Sequence, residues 1–160
     1  MPAVLPILLA AAVAVGPAPD LCPETQPLSA TTLCIVNEVR EAHGVARLRP
    51  DRRLARVARR HSRDMVCNRY FSHTSPDGRS SSDRIAASGW MRGRKRWAVG
   101  ENLAWHSAPA PPSASVEDWL NSPSHRRILL SRRYRVVGIG VASRTPSGDA
   151  GTTYTADFGT

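Results

Sequence analysis

Three side chains of this sequence have the types needed for chemistry at a shared site: His73, Glu101 and His125. Two imidazoles and a carboxylate can hold a divalent ion, or serve as a base and the group that orients it. Each stands beside a turn or a helix start. His73 follows Tyr70-Phe-Ser72 at the end of a helix, Glu101 sits in Gly100-Glu-Asn-Leu103, and His125 falls in the first turn after Ser122-Pro123. From such positions a side chain faces a cleft more readily than from mid-helix. The spacing by itself equally fits three separate residues making local cap and turn hydrogen bonds. His61 lies on the apolar face of a helix and reads as a core histidine bonded to backbone, while His106 stands in a loop with no evident role.

Several chemistries are excluded. The chain has no Gly-x-Ser-x-Gly elbow, no Gly-Lys phosphate loop and no His-Glu-x-x-His helix. Gly138-Ile-Gly140 opens like a dinucleotide loop but lacks the third glycine and a following helix. The few aromatics do not interleave with a basic strand, which argues against single-stranded nucleic acid.

The elements that must position the three residues follow from hydrophobic period and punctuation. Thr31 to His43 reads as a helix stopped by Gly44, with Glu38, Arg40 and Glu41 falling mostly off its apolar face. Asp51 caps a second helix to about Tyr70, with Leu54, Val57, Ala58, His61 and Met65 along one face and an arginine stripe along the other. The stripe (Arg52, Arg53, Arg56, Arg59, Arg60 and Arg63) reads as a solvated outer face, with an anionic partner as the alternative. Thr74 to Gly78 is a turn, and Ser82 to Ser88 a short helix. Trp97 to Trp105 is a strand or ordered loop. Ser115 opens a fourth helix with Asp118 as capping-box partner, and Ser122-Pro123 restarts a turn that carries His125. Tyr134–Ala142 and Thr152–Phe158 read as strands joined by a hairpin loop. The sum is an α+β domain, helices packed on an antiparallel sheet with a C-terminal hairpin.

One hundred and sixty residues suffice for one domain. Lys and Arg number 22 against 13 acids, a formal charge of +9, and all the bases but Lys95 are Arg. The excess favours anionic surfaces without naming one, and its spread along the chain also fits a merely Arg-rich composition. Ala3 to Val15 is apolar and uncharged, too short for the roughly twenty residues of a membrane span. It fits the core of a secretory signal, although no basic residue precedes it. Residues 1–20 are therefore expected to be a signal and processing region, 21–30 an N-terminal arm and 31–160 the folded domain. The product is expected to be secreted, with no membrane-spanning segment in the mature chain. In an oxidising compartment, Cys22, Cys34 and Cys67 make one bridge and one leftover thiol. Cys22–Cys34 and Cys34–Cys67 are both open; the need to staple a loose arm favours the former, with Cys67 buried.

A resemblance goes further than spacing. Ile35-Val-Asn-Glu-Val-Arg40, Leu54 to Met65, Tyr70-Phe-Ser-His73, Gly100-Glu-Asn-Leu-Ala104, Trp119 to Arg126, Val137-Gly-Ile-Gly-Val141 and Tyr154 to Gly159 occur in the order seen in bacterial CAP (SCP-like) domains. CAP is the superfamily of cysteine-rich secretory proteins, venom allergens and pathogenesis-related proteins. The resemblance implies a three-layer α-β-α sandwich and a cleft of two histidines and two acids that takes a divalent cation, often zinc. His73 and His125 then fall on the histidines and Glu101 on one acid. Where animal and plant members place the second acid this chain has Ser122, for which Asp118 on the same helical face is the substitute. The implied role is an extracellular binding module for a peptide, lipid or cell-envelope component, with no specific nucleic acid partner. A metal-assisted hydrolase with Glu101 as general base and a lipid or sterol carrier are the alternatives.

Overall fold

A computed structural model of the chain describes residues 27–108 and 110–160. The apolar run Ala3–Val15 and Cys22 lie outside the described residues. Helix α1 spans Leu28–Ala42, α2 Arg52–Cys67, α3 Ser81–Ala87, α4 Pro112–Asn121 and α5 Pro123–Leu129. The strands are β1 (Arg49–Pro50), β2 (Val99–Ser107), β3 (Val136–Ser143) and β4 (Gly151–Gly159). Helix α1 thus begins three residues inside the stretch assigned to the arm. No helix among the described residues is long and apolar enough to cross a membrane.

The sheet runs β1-β3-β4-β2, with β2 at one edge. β2, β4 and β3 pair antiparallel, and the Leu48-Arg-Pro50 link adds a short parallel strand beside β3. Strand alternation sends Tyr154, Ala156 and Phe158 to one face, where they meet Val36, Val116, Trp119 and Leu129 of α1, α4 and α5. Thr153, Thr155 and Asp157 point to the other, which α2 covers. Helices therefore lie on both sides, and the fold is an α-β-α sandwich built on a mixed sheet.

Helix α2 sits unusually close to that sheet. A Cβ on Gly138 would lie 1.9 Å from Ala55 N, and one on Gly140 would lie 2.1 Å from Arg59 N. The two glycines that mimic a dinucleotide loop instead let a helix backbone approach β3. Ser62 completes the contact, its Oγ 3.1 Å from Gly140 O and 2.8 Å from Thr155 Oγ1. Asp51 caps α2 as expected, accepting from the N–H of Arg53 and Leu54 at 2.8 and 3.0 Å.

The opposite layer is fixed by two buried groups. Trp119 Nε1 donates to Leu103 O at 2.9 Å and anchors α4 on β2. Arg40 is fully buried, not on a polar face: it donates to Ala46 O (2.9 Å), Leu129 O (2.6 Å) and Ser131 O (3.2 Å). The first carbonyl lies in the link after α1 and the other two at the C-terminal end of α5, so one guanidinium caps α5 and ties it to that link. The expected capping box at Ser115 does not form. Pro112 starts α4 a turn earlier, as the fixed φ of proline favours at a first helical position, and Ser115 is buried inside the helix. Cys67 is an exposed free thiol, not a buried one, which excludes the Cys34–Cys67 bridge. The Cys22–Cys34 pairing lies outside the described residues.

Candidate functional site

Edge strand β2 brings the two layers together. Glu101 points to the α2 face and Asn102 to the α5 face. His73 comes round from the loop after α2, and His125 from the first turn of α5. Their rings meet beyond the sheet edge with centroids 6.4 Å apart. Asn102 Nδ2 donates to His125 O at 3.1 Å, so α5 is held at its start by Asn102 and at its end by Arg40.

His73 and Glu101 are a hydrogen-bonded pair: Nδ1 lies 2.8 Å from Oε1. The Glu101 side chain is 1 % exposed and that of His73 53 %. With Nδ1–H given to a buried carboxylate, Nε2 is left as an acceptor on the solvent side of the ring. The other Glu101 oxygen accepts from Arg84 Nη2 at 2.6 Å. Through Nη1 the same guanidinium donates to His73 O (2.9 Å), Ser75 Oγ (3.2 Å) and Arg79 O (3.0 Å). Arg84 therefore fixes both the carboxylate and the Thr74–Gly78 turn that presents His73. Nothing in a seven-residue amphipathic stretch marks one arginine as buried, and sequence reasoning missed it.

Asp157 is the second missed residue. It is fully buried and pairs with Glu101 across the β2–β4 register. Burial and the neighbouring Glu101 charge push its pKa well above the carboxylate range, against the pull of Arg84. Ionised, neither of its oxygens has a hydrogen-bond donor; protonated, it donates to Glu101. Glu101 shifts the opposite way. Burial raises its pKa, but the His73 hydrogen bond and the Arg84 charge outweigh burial and hold it below its usual value. One guanidinium thus balances one carboxylate, and the second carboxyl keeps its proton. An acid in the interior of a strand, in phase with Thr153 and Thr155, was the available signal.

These opposed shifts have opposite consequences for stability. Glu101, depressed in the fold, contributes stability that is lost as pH falls through its folded pKa. Asp157, raised in the fold, costs stability as pH climbs from the unfolded value of about 3.9 toward its folded pKa. Replacing Asp157 by Asn keeps a donor for Glu101 and removes that cost. The difference in melting midpoint between Asp157→Asn and wild type is therefore expected to grow in the variant's favour between pH 4 and pH 8. A difference that does not vary with pH would mean that Asp157 is ionised in the fold.

Burial and the nearby His73 lower the pKa of His125, with Asp118 opposing, so its ring is neutral at pH 7. His125, Asp118 and Ser122 all line a hollow of about 370 Å³, rimmed by the exposed Phe71 and Trp105. Asp118 is mostly solvated, and its Oδ2 lies 3.4 Å from Nε2 of His106, which sits in β2 and not in a loop. Ser122 precedes α5 without capping it, its Oγ 3.2 Å from Ser124 Oγ. His61 behaves as a core histidine, its Nε2 3.0 Å from Ser72 O.

A metal ion does not fit this arrangement as it stands. Tetrahedral zinc at about 2.1 Å from two imidazole nitrogens brings the ring centres to roughly 5 Å, closer than the 6.4 Å seen here. Both Glu101 oxygens are committed to His73 and Arg84. Among the described residues, no three His, Cys, Asp or Glu side chains converge as a metal-holding group.

A profile of the cysteine-rich secretory protein family, CAP, matches residues 33–158. An uncharacterized membrane protein of Bacillus subtilis, YlbC, is 41 % identical over 109 residues, 68 % of this chain and 30 % of its own length. A second B. subtilis protein, YkwD, is 31 % identical over 106 residues, 66 % of this chain and 39 % of its own. The chain thus spans only 30 % and 39 % of these relatives' length. Among solved structures, an extracellular SCP-domain protein from Bacillus anthracis superposes with a TM-score of 0.64 at 32 % identity, covering 82 % of this chain and 38 % of that one. An outer surface protein of Borrelia burgdorferi gives 0.66 at 24 % identity, covering 79 % and 87 %, and shares the fold.

Proposed function

The chain belongs to the cysteine-rich secretory protein family, and on that footing we propose that it is an extracellular binding module whose ligand enters the cleft between His73 and His125. The observation that carries this reading is the His73–Glu101 pair, a half-exposed imidazole oriented by a buried carboxylate. Orientation of this kind fixes a hydrogen-bond acceptor in advance, which lowers the entropy lost on binding. Two imidazoles facing one cleft suit a ligand with paired donors, such as a peptide or cell-envelope fragment. Phe71 and Trp105 would cover its apolar part.

Hydrolysis finds less support. The Glu101 side chain is 1 % exposed and both its oxygens already accept hydrogen bonds, which leaves it badly placed to activate water, and among the described residues no Ser, Thr or Cys side chain hydrogen-bonds to either cleft imidazole. In this reading Glu101 orients His73 and is not a general base, and no step runs through a metal. Secretion is part of the proposal, in keeping with the extracellular and outer-surface proteins that share the fold.

Trp105 reports on the cleft, being 43 % exposed at its rim. Short peptides, N-acetylglucosamine oligomers and glycerophospholipids should be titrated against its emission, with Trp105→Phe identifying the signal. One class is expected to give a saturable change. Losing two hydrogen bonds at about 0.5–1.5 kcal/mol each should make the His73→Ala/His125→Ala variant bind about tenfold weaker or worse. Its circular dichroism should match wild type. Undiminished binding by the folded double variant would contradict the cleft assignment.

A further inference from the structure

A second site lies on the outer side of α2, away from the histidines. Arg53, Arg56 and Arg60 recur at helical spacing and project from one face. With Arg92, from the loop after α3, they line a hollow of about 350 Å³. Its wall also includes Val57, Ala87 and Gly89. Arg53 is held in place by donating to Gly89 O at 3.2 Å. Gly89 turns with φ +76°, and the Arg92 side chain passes within 3.6 Å of where its Cβ would be.

Four guanidiniums around one concavity repel one another, and proteins usually place carboxylates among them. Here, among the described residues, none of the four has a carboxylate within 4.0 Å. The uncompensated charge is therefore concentrated in a hollow, where low-dielectric walls strengthen its field. Guanidinium forks match phosphate oxygens in geometry as well as charge. The volume exceeds a bare phosphate, and the apolar wall would accept the carbon skeleton of an attached alcohol. No aromatic side chain lines the hollow to stack a base, and its concavity suits a chain more than a flat bilayer.

We propose that this pocket binds a phosphodiester unit of a polyol-phosphate polymer, independently of the histidine cleft. Binding of a glycerol phosphate oligomer to the full chain should be measured by calorimetry at several salt concentrations. Inorganic phosphate, single-stranded oligothymidine and phosphatidylglycerol vesicles are the comparison probes. The oligomer is expected to bind more tightly than inorganic phosphate, with affinity falling as salt rises. Arg56→Gln/Arg92→Gln should weaken it by about tenfold or more and flatten the salt slope by roughly two contacts. Arg60→Gln alone should weaken it in the same direction. The charge-matched control Arg52→Gln/Arg59→Gln, on the same helix but outside the hollow, should change affinity by less than about threefold. Equal losses in pocket and control variants would overturn the proposal, because binding would then follow net charge. Failure of the oligomer to saturate the wild type would also overturn it. So would tighter binding of oligothymidine or of vesicles.

Discussion

Glu101→Ala is expected to destabilise the domain by about 3–5 kcal/mol, the usual consequence of removing one partner from a buried ion pair. For a chain of this size that lowers the melting midpoint by about 10–20 °C. The cost arises less from the lost attraction than from what remains. Arg84 is only 9 % exposed in its side chain and would keep a charge with no counter-ion. The turn it holds through His73 O, Ser75 Oγ and Arg79 O would be released with it. Glu101→Gln should be milder, since Asp157 can then ionise beside a neutral amide and balance Arg84. The double variant Glu101→Gln/Asp157→Asn removes both sources of negative charge. Its loss should exceed the sum of the single effects, a non-additivity expected of residues in one network. Additive losses in a thermal or urea melt would show that Asp157 is not the reserve counter-charge.

Gly138→Ala carries the second large effect. The added methyl would meet Ala55 N at 1.9 Å, Leu54 C at 2.1 Å and Ala55 Cα at 2.6 Å. All three are helix backbone, so no rotamer change relieves the contact and α2 must move bodily off the sheet. Overpacking costs about 1–3 kcal/mol where side chains can yield; this substitution should exceed that range or prevent accumulation of folded protein. Because α2 leads into the loop carrying His73, any folded remainder should also show a disturbed His73 signal. Gly78→Ala is the contrast. Open space surrounds that position, with φ +84°, so its cost is the left-handed backbone alone, about 1–2 kcal/mol. Comparable melts for the two variants would refute the close-approach account.

Local signals were legible in the sequence where they are local in the structure. Asp51 as a cap, the stop at Gly44, Pro123 at a first helical position and His61 in the core all depend on neighbours within a few turns. The resemblance placed His73, Glu101 and His125 together, which spacing alone could not. What escaped was set by partners far along the chain. Arg40 looked like a polar-face residue because its partners, the carbonyls of Leu129 and Ser131, lie at the end of α5 and just beyond it, far along the chain. Asp157 acquires its meaning only from the β2–β4 register, and Arg84 only from the turn and strand it bridges. The Ser115–Asp118 capping box failed because Pro112 is the stronger start signal. Gly138 and Gly140 read in the sequence as an incomplete dinucleotide loop, and their reason, a helix backbone against the sheet, is visible only in three dimensions.

The central claim is that Glu101 presets His73 with Nδ1 protonated and Nε2 open to the cleft. The most direct measurement is the tautomer of His73 by long-range nitrogen–proton NMR at pH 8, where an ordinary imidazole of pKa about 6.5 is neutral. The account predicts a single Nδ1–H tautomer in wild type and its loss to a mixture in any Glu101→Gln protein that remains folded. A His73 ring carrying its proton on Nε2, or one indifferent to Glu101, would contradict it.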